Sequence, residues 1–164
     1  MKTPSVAEFK KWAKANRPLA KALVNARAFA ESERKRVDGY LIPLFRSFGM
    51  KDEKGILIEH PDKLYLCHDG VLIAAYFEVA DAANRAHGFT GPEGHCPAYR
   101  AEEGQRRAER ELIQAWEEFF DIDGQLYGEA RERLLTLLID SCLGDERFTT
   151  ARDLSAAGIS RLRP

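Results

Sequence analysis

The chain has 164 residues, 45% of them hydrophobic and 31% charged, and a net charge of -1. That composition excludes a disordered chain. The length fits one compact domain, able to bury roughly 70% of its unfolded surface without a metal or disulfide to hold it. No apolar run approaches the ~20 residues of a bilayer span, and the first residues lack the apolar core of a signal peptide, so the expected setting is the cytosol.

Thr3-Pro4-Ser5 predicts a helix start, with a capping hydroxyl and Pro in the first turn. Val6, Phe9 and Ala13 then share a face, with Trp12 at its flank. Asn16-Arg17-Pro18 ends that helix, because the residue before Pro avoids the α region. From Pro18 onward, Leu19, Leu23, Ala26, Ala30, Glu33, Val37, Leu41, Leu44 and Phe48 recur at three- and four-residue steps, a second helical stripe. Glu33 interrupts it, and Gly39 and Pro43 predict a kink or short break.

Residues 49–55 (GMKDEKG) read as a charged loop. Ile56-Leu57-Ile58 and Leu64-Tyr65-Leu66-Cys67 are short apolar runs that suit extended segments or a brief strand pair. Asp69 suits an N-cap, and Val71, Leu72, Ala75, Tyr76, Val79, Ala82, Ala83 and Ala86 mark a helix that Gly88 ends. A strand over 71–77 is the competing reading. Residues 89–96 (FTGPEGHC) form a Gly/Pro-rich loop. Pro97 then opens a long helix through Ala98, Ala101, Gln105, Ala108, Leu112, Ala115 and Phe119, ending near Asp121. Its Arg106, Arg107, Glu109, Arg110 and Glu111 read as a solvated face. After a turn at 121–124, Gln125–Leu143 is apolar on most sides, the mark of a helix in the middle of a bundle. Gly144 ends it, and 145–164 is a polar tail.

These elements predict an all-α fold, a single-domain bundle of four to six helices over 1–164 with at most a minor β element around 56–67. The expected core is Leu23, Phe29, Tyr76, Leu112, Trp116, Phe119, Leu134, Leu138 and Cys142.

The charge is segregated. Residues 1–49, a basic helical part, hold eleven Lys and Arg against four Asp and Glu, and the rest of the chain holds fourteen against twenty-two. Lys10, Lys11, Lys14, Arg17, Lys21, Arg34, Lys35 and Arg36 are therefore candidate contacts for nucleic acid or an acidic protein face, with Phe9 and Trp12 near for stacking. The same charges can instead be solvated or fold back on the acidic half. A pI of about 6.4 lies far below that of most nucleic-acid domains.

Three cysteines, Cys67, Cys96 and Cys142, form no CxxC pair, and their odd number and wide spacing argue against a disulfide framework. Each reads first as a small buried hydrophobe. If Pro97 is the first helical residue, Cys96 is its N-cap, where the helix dipole favours a thiolate, and His95 or His87 can act as base. His87, His95 and Cys96 also make a candidate metal set, with Cys67 and His68 a further pair, but His-x7-His-Cys matches no familiar zinc spacing. Asp121 and Asp123 match only a fragment of a calcium loop. Asp140 interrupts an apolar helix and is either paired inside or turned outward. No cofactor is expected.

The segment from Leu64 to Ala115 contains His87-Gly88-Phe89, Cys96-Pro97-Ala98, Ala101-Glu102 and Ala108-Glu109. It resembles a group of small uncharacterised proteins of bacteriophages and other mobile elements. The resemblance covers about a third of the chain. It implies a bacterial cytosolic setting and an accessory role, and it carries over no catalytic or binding residue. The leading expectation is thus a non-enzymatic interaction protein, possible partners being a host or phage protein. A nucleic-acid-associated protein comes second, and a cysteine- or zinc-dependent enzyme around His95-Cys96 third.

Overall fold

A computed structural model describes residues 4–89, 97–122 and 126–144. Among them are five α-helices, α1 (Val6–Ala15), α2 (Arg17–Ser47), α3 (Gly70–Ala86), α4 (Pro97–Phe120) and α5 (Gly128–Cys142), with a 3-10 turn at Pro61–Leu66. The fold is all-α. Two compact units divide the chain: Met1–Ala28 with Gly104–Pro164, and Phe29–Glu103.

The cap of α1 is Ser5. Its hydroxyl accepts from the Glu8 N–H while Glu8 reaches back to the Ser5 N–H, so two otherwise orphan donors are satisfied. Asn16 ends α1 at φ -95° and ψ 9°, and α2 begins on the next residue.

In the first unit the core is built from helix faces. Ala13, Ala20, Leu23, Ala108, Leu112, Leu134, Leu135, Leu138 and Cys142 pack together. Beside them Phe9, Phe120 and Leu137 form an aromatic cluster, with Trp12, Trp116 and Phe119 half-buried against it. Residues of α5 enter both clusters, which agrees with its apolar character on most sides. The helix starts three residues later than expected. Leu126 and Tyr127 are exposed before it, and Tyr127 supplies no side-chain cap.

The second unit has a core of its own. Phe45, Met50, Ile58, Cys67, Tyr76 and Ala80 pack together, and the Tyr76 ring meets Phe45 and Phe48 edge-on at 5.1 and 5.7 Å. The expected break in α2 is absent. Pro43 is exposed, so the Gly39 carbonyl that its missing N–H leaves without a helical donor lies on the solvent side of α2.

No strand pair forms over 56–67. Lys51 and Leu57 make an isolated antiparallel bridge, closed by Asp52, whose carboxylate accepts from the Lys54 and Ile56 N–H groups. Gly55 takes φ +77° there. Pro61 then starts the 3-10 turn that contains Leu64, Tyr65 and Leu66.

Asp69 caps α3 as expected, accepting from the Leu72 N–H, and Gly88 follows its end at φ +92°. The buried face of α3 is rotated from the alanine-and-valine face read in the sequence. Tyr76, Ala80 and Asn84 are buried while Val71 and Val79 are exposed. Asn84 is anchored on this face, where its buried side-chain carbonyl accepts a 2.5 Å hydrogen bond from the Tyr40 hydroxyl.

Three of the expected core positions also differ, and of these Trp116 is half-buried against the core. Phe29 is 59% exposed, since it lies about 100° round α2 from the buried Ala30. Phe120 rather than Phe119 takes the deepest place at the end of α4.

Candidate docking surface

The eight candidate contact residues on the first two helices fall into two groups. Arg34, Lys35 and Arg36 are engaged inside their own unit. Arg34 pairs with Glu102. Lys35 pairs with Glu31 one turn back at 2.7 Å. Arg36 binds Glu33 through Nε and Nη2 at 3.1 and 2.9 Å, and its Nη1 donates to the His87 carbonyl at 3.1 Å. The Glu33 carboxyl is held below its usual range by the hydrogen bond from Arg36, and that of Glu31 by the hydrogen bond from Lys35. The charge that interrupts the α2 stripe at Glu33 is thus the anchor of a neighbouring arginine.

Lys10, Lys11, Lys14, Arg17 and Lys21 are different. All are exposed, and none forms a salt bridge among the described residues. On α1, Lys10, Lys14 and Lys11 spread over about 100° of arc, away from the buried Phe9 and Ala13. Arg17 and Lys21 are one turn apart on α2. The Asn16 N–H donates to the Trp12 carbonyl and the Ala20 N–H to the Asn16 carbonyl, so Asn16 both closes α1 and opens α2. Lys10, Lys14, Arg17 and Lys21 recur along the two helices at steps of four, three and four residues. No acidic residue lies in the first turn of α2, which opens on Arg17, the reverse of what the helix dipole favours.

The aromatic residues beside this stripe do not serve it. Phe9 is buried and stacks on Trp12 at 5.5 Å, and the Trp12 indole donates to the Ala115 carbonyl at 3.2 Å. Their faces are spent on the core.

Glu109, read as part of a solvated face, is buried at 6% exposure. Its carboxylate accepts from Gln105 at 2.9 Å, from Arg27 at 3.3 Å and from Arg131 at 3.4 Å, and Arg27 also binds Glu132 at 3.2 Å. A carboxylate is seldom buried without such partners. The signal was present in the spacing. Glu109 follows the buried Ala108 and precedes the buried Leu112 by three, at the edge of the apolar stripe. Arg27 and Arg131, distant in sequence, had no local mark.

His87 caps α3 and stacks flat on Tyr40, with ring centroids 3.9 Å apart and planes 3° from parallel. His95 and Cys96 lie outside the described residues, as do Asp123 and the tail 145–164. Cys67 is buried in the second unit's apolar cluster, while His68 faces Glu53 at 2.9 Å. Among the described residues no three His, Cys, Asp or Glu side chains are grouped to hold a metal ion. Cys142 is buried, and burial pushes its thiol up to about 12, well above the range of a reactive cysteine. Asp140 is half-buried. No helix among the described residues is long and apolar enough to cross a membrane.

Comparison with known proteins adds no relative: no family model, no curated protein and no solved structure matches the chain.

Proposed function

We propose that this chain is a non-enzymatic interaction protein that docks an acidic protein surface through Lys10, Lys11, Lys14, Arg17 and Lys21. It belongs in this reading among accessory proteins of the phage or mobile-element kind, acting on a host protein in the bacterial cytosol. One observation carries it: these five cations are exposed and unpaired among the described residues, whereas Arg34, Lys35 and Arg36 are satisfied internally. A complementary acidic face would steer association and make it salt-sensitive.

Nucleic acid is the second reading, since a cationic stripe also suits phosphates. The burial of Phe9 and the engagement of the Trp12 indole weigh against it, because they remove the stacking platform single strands use.

The test is co-purification of the tagged full chain from bacterial lysate, beside a variant with Lys10, Lys11, Lys14, Arg17 and Lys21 all changed to Gln. A stoichiometric protein that is captured by the wild type, released by salt and absent from the variant is the expected result. Nuclease-sensitive material in its place selects the second reading. A partner retained by the variant overturns both.

A further inference from the structure

We propose that the cleft between α4 and the start of α5 is a binding site for a small amphipathic carboxylate, an apolar body carrying one anionic group. The site lies in the first unit and does not depend on the basic stripe.

Arg110, Ile113, Gln114 and Glu117 line it from α4. Their spacing is i, i+3, i+4 and i+7, so they share one face of the helix. Leu126, Tyr127 and Arg131 line it from the other side. The cleft has a volume of ≈ 490 Å³, within the ~300–1,000 Å³ usual for small-ligand sites. Ile113 and Leu126 give it an apolar lining, and the exposed Tyr127 ring adds a flat aromatic wall.

The polar groups favour an anion. Arg110 is exposed and has no ion pair among the described residues. Arg131 is held by Glu109 through Nη1 alone, at 3.4 Å, so the rest of its guanidinium keeps donors to spare. The buried Glu109, fixed in turn by Arg27 and Gln105, orients that guanidinium. Two planar forks against the single carboxylate of Glu117 suit a carboxylate guest, which accepts two parallel N–H bonds from an arginine. Glu117 disfavours a guest of higher negative charge.

The probes are 2-naphthoate and its uncharged counterpart 2-naphthalenemethanol, titrated into the full chain by calorimetry and by chemical-shift mapping. Saturable one-to-one binding of the acid is expected, with the alcohol about tenfold weaker. Arg110→Ala removes an exposed side chain and keeps the fold. It should weaken the acid about five- to tenfold and leave the alcohol unchanged. Leu126→Ala should weaken both. The proposal falls if the acid does not saturate a site, if the alcohol binds as tightly as the acid, or if both variants bind both probes like the wild type.

Discussion

Helix α2 handles its charges in two different ways along its length. Its first turns carry Arg17 and Lys21 exposed and without ion pairs among the described residues, and then send Arg27 to the buried Glu109. Its later turns hold Arg34, Lys35 and Arg36, each paired to a carboxylate of the second unit. In sequence the first stretch carries only cations, whereas the second interleaves Glu31, Glu33 and Asp38 with its own. The difference teaches that a run of cations is a docking surface only to the extent that the fold leaves it unpaired. It also teaches that one buried acid can matter more than several surface pairs.

Removing one acid from each region separates the two kinds of pairing most sharply. Glu109→Ala leaves Arg27 and Arg131 without their shared partner. A wholly buried pair loses ~3–5 kcal/mol when broken, but these arginines keep 29% and 25% of their side chains exposed, so a loss of about 2–3 kcal/mol is expected. Glu102→Ala, which breaks the more exposed pair with Arg34, should cost less than about 1 kcal/mol. Urea unfolding of the two variants measures both. Equal losses would erase the distinction.

The next largest effect belongs to Tyr40 and Asn84. Tyr40→Phe leaves the buried Asn84 carbonyl without the hydroxyl that fixes it, at a cost of about 1–2 kcal/mol. A loss of that size, seen in the same urea experiment, supports Asn84 as an anchor of the buried face of α3. An unchanged midpoint would leave that anchoring to Tyr76 and the aromatic cluster alone.

The smallest effect is a matter of pH. Glu31 and Glu33 titrate below the ordinary 4.5 because of Lys35 and Arg36. A carboxyl whose folded pKa is depressed stabilises the fold fully above its unfolded value, and that contribution disappears as pH falls through the lowered folded value. Carboxyl carbon shifts should therefore place both midpoints below those of the exposed acids elsewhere in the chain. Midpoints at the ordinary value would mean that these pairs are open in solution, and would put Lys35 and Arg36 back among the available cations.

Much of the local structure was legible in the residues. Asp69 as a cap, Gly88 and Gly144 as terminators, the end of α1 before Pro18 and the apolar α5 all follow from short-range chemistry that acts wherever the residues stand. Candidate docking residues were legible only as a group of eight. Sorting them needed partners 68 residues away in the case of Arg34 and 51 in the case of Arg36.

The sequence by itself determined that the chain is helical and where most of its helices stop, because caps, glycines and apolar periodicity act within a few residues. It also set the excess of positive charge in the first 49 residues. Only the tertiary structure decided how far each buried face extends and, in α3, which face it is, since burial depends on what packs opposite. Phe29 lies outside the core while Phe120 lies within it, and Pro43 sits in a continuous helix because its side of α2 meets water. Glu109 is inside because two arginines from other parts of the chain meet it there, and the lysines of α1 remain available because no described acid does.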